Sequence, residues 1–525
     1  MGRRMSSLTR REALKVAGLG VLAIACQPGA QPGVTSPGVK SAGTIRIAIG
    51  VDPDTLDPQG QTTTTVQNIV DYVVETLVRY NDQGKVTPLL AEKWDRSSDG
   101  KQYTFTLRKA TFHDGTPFNA QAVQAAWKRI LDPNVKVPLR SPLGDVVASV
   151  EPKDDQTVVF TLKSGFPPFV SALAGTQYGI MSPRRVEKAG TAYDEEPVGT
   201  GPYSFKERRK GESVTLARYD GYWGKKPAYE SVVFRVVPEA ATRESLLLSG
   251  QAEVIILPPI ADLPNLQKNS AVKVIAGNSD RTIFLAFNLS RDSMKDVRVR
   301  QAINYAIDKD SIVKNVLFGQ AERMDAPVAP SIFGYCKVGG YDYDPAKARQ
   351  LLKDAGAEGL TIKMGYPTGR YVQDKQAGEA IAGFLREIGL KVEGQTSDWP
   401  TYLGSINVPP DKSTFDLHFL GWAPGYLDSS QQMAQFGGQN YWPPKGLSTS
   451  YYENPRVVQL NTQATSEPDE KKRQDLYCQI WKQIWEDAPW VFLWVQKFPI
   501  VHSAKVKGVT SLATEKFDAL YAEPA

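Results

Sequence analysis

Residues 94–123 constrain the fold more than any other part of the sequence. Residues 97–100 (SSDG) predict a tight turn, because glycine readily adopts the positive φ that such a turn needs. The apolar and polar residues then alternate over 103–108, which predicts a half-buried strand. A second turn at 113–117 is followed by Asn119, a good helix cap. The sequence therefore predicts a hairpin that leads into a helix with an apolar side formed by Val123, Trp127, Ile130 and Leu131.

The length and charge of the chain limit its class. The 525 residues are enough for two or three domains that share a large core, and the composition is that of a globular protein, with 41% hydrophobic and 23% charged residues. Residues 1–26 hold five basic groups and one acid, which leaves 57 basic and 56 acidic side chains elsewhere. The main body is nearly neutral, so its charge gives no case for nucleic-acid binding.

The first 26 residues read as a signal peptide. Arg10 and Arg11 resemble a twin-arginine export motif, although Ala13 stands where a larger apolar residue is usual. The apolar run at 16–25 is only about ten residues long, too short to span a bilayer that needs roughly 20. It ends in LAIAC, which resembles a lipobox with Cys26 as the lipidated residue. The alternative is an ordinary signal peptide with a chance cysteine.

Residues 27–43 are rich in Pro, Gly and Ser and have no apolar periodicity, which predicts a flexible tether. A lipid anchor followed by a tether implies a protein held at the outer face of a membrane, in the periplasm or beyond it. Cys336 and Cys478 could pair in such an oxidising compartment, but their spacing equally allows two free thiols.

Several motifs in order carry a resemblance to a known family. They are the 94–123 segment, TLDP at 55–58, PVGTGPY at 197–203, RYDGYW at 218–223 and DVRVRQAI at 296–303. Together they resemble the bacterial extracellular solute-binding proteins of family 5, the peptide, nickel and oligosaccharide receptors of ABC importers.

The resemblance implies an α/β, two-lobed periplasmic-binding-protein fold, type II-like, with an extra inserted domain and a hinge cleft between the lobes. The first lobe would comprise 44–68, 198–283 and 491–525. The inserted domain would be 69–197 and the second lobe 284–490.

No catalytic or metal motif stands out. His113, His418 and His502 are the three histidines, and none has metal-ligand spacing with another His or Cys. The aspartates at 52–57 (DPDTLD) lack the glycine and glutamate of a calcium loop. We therefore expect no enzyme, no metal and no cofactor, with a glycoside hydrolase as the alternative from another class, since two carboxylates can come from anywhere.

The segment 415–428 resembles the family's strand and loop that line the ligand cleft. Peptide-binding members carry an acid there for the ligand's ammonium group, and Gly425 stands at the matching position. A buried ammonium without a partner would cost several kcal/mol, so a simple zwitterionic peptide is disfavoured unless Asp428 substitutes. No arginine lies between 415 and 428 to take a carboxylate.

Aromatic and hydroxyl groups complete the expected site. Trp422 and Trp399 match cleft-lining tryptophans of the family and could stack on sugars or apolar side chains. Tyr426 follows Gly425 in the same loop, and Thr63 and Thr64 lie where the first-lobe loop approaches ligand. The alternative for these threonines is a solvated loop that does not contact the ligand.

The expected function is an extracytoplasmic receptor that delivers a peptide- or oligosaccharide-like ligand to an ABC permease, as a monomer anchored to the membrane. A receptor for free-amine oligopeptides is the near alternative, and a nickel-chelate receptor a more distant one. A signalling receptor that works without a transporter is a further possibility.

Overall fold

The apolar run IRIAI becomes part of the first strand and lies inside a large sheet. The computed structural model describes residues 42–61, 63–140, 142–190, 192 and 195–525. The predicted signal peptide with Cys26 lies outside the described residues, and so does most of the predicted tether. The tether's last two residues, Ala42 and Gly43, already belong to the first strand.

The described strands, in chain order, are Ala42–Ile49 (β1), Val78–Tyr80 (β2), Val86–Pro88 (β3), Ala91–Arg96 (β4), Gln102–Leu107 (β5), Ala110–Thr111 (β6), Pro117–Phe118 (β7), Val147–Asp154 (β8), Thr157–Leu162 (β9), Tyr203–Arg209 (β10), Ser213–Arg218 (β11), Tyr229–Val236 (β12), Val254–Ile256 (β13), Val272–Phe287 (β14), Ala321–Arg323 (β15), Thr361–Thr368 (β16), Lys391–Asp398 (β17), Leu417–Trp422 (β18), Trp490–Ser503 (β19), Val506–Lys507 (β20), Thr510–Leu512 (β21), Lys516–Asp518 (β22) and Glu523–Pro524 (β23).

The described α-helices are Thr64–Val70 (α1), Ala120–Leu131 (α2), Leu143–Val146 (α3), Phe169–Ala172 (α4), Pro183–Ala189 (α5), Ala240–Leu248 (α6), Leu263–Lys268 (α7), Val297–Ala306 (α8), Lys309–Asn315 (α9), Pro345–Asp354 (α10), Asp374–Glu387 (α11), Trp399–Ile406 (α12), Ser429–Gln432 (α13), Pro455–Ser466 (α14) and Glu470–Asp487 (α15). Short 3₁₀ turns occur at Thr176–Tyr178, Ile260–Asp262, Asp292–Met294, Pro410–Lys412, Met433–Gln435 and Gln439–Tyr441.

Side-chain caps start several helices, and the cap at Asn119 is one that the sequence predicts. Asn119 accepts from the backbone N–H of Ala122 at 3.0 Å, at the start of α2. Asp344 caps α10 in the same way, accepting from Lys347 at 2.9 Å. These contacts satisfy amide groups that the first helical turn leaves without an internal partner.

One sheet runs through both lobes in the order β10-β11-β12-β1-β13-β19-β14-β18-β16-β17, with β15 beside β19. The long strands β14 and β19 cross between the two halves. Their register shifts between Asn278 and Thr282. The crossing strands join the two lobes of the α/β fold, and we call this crossing the hinge.

The inserted domain has its own sheet, in the order β4-β5-β9-β8, covered by α2. Trp94 of β4 lies opposite Phe105 of β5, which confirms the hairpin predicted around the turn at 97–100. The hydrophobic core of this domain includes Leu77 and Ile180 near its two ends. By contrast, the expected insert residues 72–74 pack in the core of the first lobe.

The second lobe also takes in more of the chain than its expected bounds. Residues 490–495 of β19 pack with second-lobe helices and strands, whereas 498–501 pack in the first lobe. The side chains of β19 therefore pack in the second-lobe cores before Gln496 and in the first-lobe cores after it. One continuous strand contributes to both lobes.

Cys336 and Cys478 form a disulfide with a Cα–Cα distance of 5.4 Å. This settles the pairing that their spacing left open. It joins the segment before α10 to α15, both in the second lobe. Among the described residues, no helix is long and apolar enough to cross a bilayer.

Candidate functional site

Three strand ends of the second lobe meet at one edge of the sheet, beside the hinge. β16 runs parallel to both β17 and β18, so the carboxyl ends of these strands lie together. The antiparallel strand β14 brings Thr282 opposite Trp422 at the same edge. The carboxyl edge of an open α/β sheet is the usual place for a ligand, so the two predicted tryptophans, Trp399 and Trp422, come to the edge where the cleft is expected.

An arginine that the sequence analysis did not single out lies at this edge. The Arg370 guanidinium is 5.2 Å from the Trp399 ring and 5.0 Å from the Tyr371 ring. No hydrogen-bond or ion-pair partner of its side chain occurs among the described residues. Arg370 is exposed, although partial desolvation by the surrounding protein, and then the like charge of Arg281, lower the pKa of its guanidinium.

Tyr371 and Trp399 form an aromatic wall under Arg370. Their ring centroids are 5.8 Å apart in an edge-on arrangement. The Tyr371 hydroxyl donates to the carbonyl oxygen of Gly421 at 3.3 Å. A Cβ on Gly421 would meet the Tyr371 ring at 2.6 Å, so glycine is required for this close packing.

A buried ion pair lies beside the hinge. Arg281, at the end of the β14 irregularity, donates to both carboxylate oxygens of Glu515, at 2.8 and 2.6 Å. Burial opposes the charge of Arg281, but Glu515 outweighs it and raises the pKa of the guanidinium. The neighbouring Asp280 is buried as well, and neither of its carboxylate oxygens has a hydrogen-bond partner among the described residues.

The loop that follows β18 is fixed from both sides. Tyr426 is buried in the core of the inserted domain. The Leu427 backbone N–H donates to the Tyr80 hydroxyl at 3.1 Å. Gly425 is exposed, and a Cβ added there would meet nothing within 4 Å. Tyr426 thus anchors the loop to the inserted domain, while Gly425 leaves open space.

Asp428 cannot act as the substitute acid that the sequence suggested. Arg473 of α15 donates to both of its carboxylate oxygens, at 2.8 and 2.5 Å. The same carboxylate also caps α13 by accepting from Ser430. Asp428 is 3% exposed, so its charge is already neutralised inside the second lobe.

The remaining predicted contacts have simple surroundings. Thr63 is exposed and caps α1 by accepting from the Val66 N–H at 3.4 Å. Thr64 is half-buried as the first residue of that helix. Trp422 is half-buried, and its indole N–H has no hydrogen-bond partner among the described residues.

The histidines do not form a metal site. His418 is buried beside Thr449, with 2.7 Å between its Nε2 and the threonine hydroxyl, and burial lowers its pKa to about 3. His113 contacts the carbonyl oxygen of Gly201 at 2.8 Å. Within the described ranges, no cluster of three or more His, Cys, Asp or Glu side chains could hold a metal ion.

A separate cavity of about 330 Å³ lies beside α1, β2 and the hairpin at 510–518. None of the predicted ligand contacts lines it. Its charged groups include Asp71 and Lys516, which pair with each other at 2.8 Å. The strand ends, the aromatic wall and Arg370 converge at the sheet edge instead.

Comparison with known proteins identifies the family. A sequence profile described as bacterial extracellular solute-binding proteins, family 5 Middle, matches residues 85–443. The glutathione-binding protein GsiB of Pectobacterium atrosepticum is 31% identical over 479 residues, which cover 90% of this chain and 93% of that protein.

Solved structures agree. The periplasmic binding protein DppA of Helicobacter pylori, in complex with the peptide STSA, has a TM-score of 0.78 at 26% identity, covering 92% of this chain and 98% of that one. NikA of Brucella suis, in complex with Fe(III)-EDTA, has a TM-score of 0.82 at 25% identity, covering 92% and 100%. The chain belongs to the bacterial extracellular solute-binding proteins of family 5 and is the substrate-binding receptor of an ABC importer.

Proposed function

We propose that this receptor captures a short anionic peptide of the glutathione class. The observation that carries the proposal is Arg370, an arginine without an ion-pair partner among the described residues, held over the Trp399 and Tyr371 rings at the cleft edge. A guanidinium in this position is suited to bind a carboxylate through charge-assisted hydrogen bonds.

The surroundings of Arg370 support a carboxylate rather than a neutral sugar. Partial desolvation, and then the like charge of Arg281, lower the pKa of Arg370, so a bound anion would stabilise its charged form. Glu515 already pairs with Arg281, which leaves Arg370 as the cation available to the ligand. The similarity to glutathione-binding and peptide-binding relatives points to the same class.

The aromatic side chains would hold the body of the ligand. Trp399 lies under the Arg370 guanidinium, and the buried indole N–H of Trp422 has no hydrogen-bond partner among the described residues. Gly425 leaves open space, which could accept a ligand side chain, and we propose that Thr63 and Thr64 contact the ligand from the first lobe. Rotation of the lobes about β14 and β19 would close the cleft around the solute.

The receptor acts by capture rather than catalysis, and we propose that it works as a monomer tethered outside the cell membrane through lipidated Cys26. The support for the anchor is the LAIAC sequence and the tether that follows it. A Cys26→Ser variant should leave the membrane fraction and lose metabolic labelling by palmitate. Retention in the membrane fraction would contradict the anchor without affecting the ligand proposal.

A panel of ligands tests the proposed function. Glutathione, free tripeptides, maltooligosaccharides and nickel–histidine are added separately to the purified protein, and thermal unfolding is followed. A ligand at 100 times its dissociation constant should add about 2.7 kcal/mol of stability. We expect this shift with glutathione or acidic tripeptides; a shift with oligosaccharides or nickel–histidine alone would refute the proposal.

A further inference from the structure

Asp280 is a buried carboxylate with no hydrogen-bond partner among the described residues. The residue is 1% exposed, and both Oδ1 and Oδ2 are shielded from solvent. Buried polar groups are nearly always hydrogen-bonded, and an unpaired buried charge costs several kcal/mol. Such a group in the hinge of a binding protein calls for a partner that the described residues do not supply.

The charges that face Asp280 come from three parts of the molecule. Arg281 is on the same strand, Glu515 and Lys516 are on the hairpin at 510–518, and Tyr80 belongs to the inserted domain. Arg281 is paired with Glu515, and Lys516 with Asp71. Burial, and then the negative charge of Glu515, raise the pKa of Asp280 well above its ordinary value.

Asp280 comes two residues before Thr282, which lies opposite Trp422, and Trp422 stands three residues before Gly425. Tyr80 accepts the Leu427 N–H of the loop that carries Gly425. Burial raises the pKa of Tyr80, and the charges of Asp428 and Asp280 both add to that effect. Asp280 therefore stands close to the loop in which the resembled peptide receptors carry their amine-binding acid, although it comes from a different strand.

We propose, on the basis of the proposed function, that Asp280 is the counter-ion for the primary ammonium group of the ligand and takes the place of the acid that Gly425 lacks. Residues from two strands would then bind the two kinds of charge on the ligand. Asp280 on β14 would pair with the ammonium group, and Arg370, which follows β16, would bind a carboxylate. The cleft could then bind a zwitterionic peptide even though its loop carries Gly425 in place of an acid.

The assignment has two physical consequences. Without an ammonium nearby, the carboxyl group retains its proton to a higher pH than usual, so pairing with an ammonium group should release a proton to the buffer. Burial of the Asp280 carboxyl group also lowers folding stability at high pH. This loss begins above the pKa of aspartate in the unfolded chain, about 3.9, because the buried group resists ionisation. Asp280→Asn removes that cost, so this variant should melt at or above the wild-type temperature at pH 8.

The test compares glutathione with glutaryl-Cys-Gly, its analogue without the amine, by isothermal titration calorimetry. Asp280→Asn should weaken glutathione binding about 10- to 100-fold, the worth of a hydrogen bond to a charged group, and leave glutaryl-Cys-Gly within about twofold of wild type. The control Asp292→Asn removes an exposed acid whose side chain is 94% exposed and should change neither affinity. Titration of wild type in buffers of different ionisation enthalpy should reveal proton release with glutathione alone.

The outcomes separate the two proposals. If wild type binds glutathione but Asp280→Asn binds it equally well, or loses both compounds to the same extent, the assignment of Asp280 is wrong and the proposed function stands. If wild type binds neither compound, the proposed function fails and the assignment falls with it. A melting temperature of Asp280→Asn well below wild type at pH 8 would also overturn the assignment, because it would show a structural role.

Discussion

Arg473 binds both carboxylate oxygens of Asp428, at 2.8 and 2.5 Å, inside the second lobe. Both side chains are less than a tenth exposed. The pair therefore serves the packing of the cleft loop against α15, and any acid that recognises a ligand must lie elsewhere.

Removing one partner of this pair should be strongly destabilising. Arg473→Met leaves a buried carboxylate uncompensated and should cost about 3 to 5 kcal/mol in urea unfolding, whereas the double variant Asp428→Leu/Arg473→Met should recover most of the loss. The double variant should also keep its affinity for free-amine peptides. Loss of that affinity in the folded double variant would show that Asp428 does contact the ligand.

Glu75 should make stability depend on pH near neutrality. Its buried carboxylate accepts from Tyr222, Trp223 and Thr200, at 2.9, 2.9 and 2.8 Å. Burial nevertheless raises its pKa to about 7, against the three donors. Because the unfolded pKa is about 4.3, its contribution to stability is complete below that pH and declines as pH rises towards 7.

Urea unfolding of wild type and Glu75→Gln from pH 5 to pH 8 measures this contribution. The stability of wild type relative to the variant should fall by roughly 2 to 3 kcal/mol across that range. Glu207→Gln, at an exposed position, is the control and should show no such trend. Parallel curves for wild type and Glu75→Gln would contradict the raised pKa.

The disulfide should contribute measurably to the stability of the second lobe. Cys336 and Cys478 are 142 residues apart in sequence, so their bond closes a long loop in the unfolded chain. Reduction should lower the free energy of unfolding by about 2 to 5 kcal/mol. The same reductant should leave a Cys336→Ser/Cys478→Ser variant unchanged; an unchanged wild type would argue against the bond.

Local structure could be predicted from the sequence because its signals are local. The hairpin around 97–100 and the Asn119 cap each depend on neighbouring residues, and the structure confirms them. The structure places Trp399 and Trp422 at one edge of the sheet, and their contact with a ligand stays a prediction.

The charges of the site could not be predicted in this way. Arg370 follows β16, Asp280 lies in the β14 irregularity and Glu515 is near the end of the chain, so only the folded sheet brings them to the hinge. Asp428 illustrates the opposite case. Its place in the cleft loop suggested a ligand contact, but its partner Arg473, on a helix 45 residues later, cannot be inferred from spacing.

The most direct test of the account is a calorimetric titration of glutathione into wild type and Arg370→Gln, with Arg209→Gln as an exposed control on the first-lobe strand β10. The control should bind as wild type does. Arg370→Gln should bind about 10- to 100-fold more weakly, the worth of a charge-assisted hydrogen bond, while its melting temperature without ligand stays close to that of wild type. Equal affinity of Arg370→Gln and wild type would contradict the recognition of an anionic peptide at this edge.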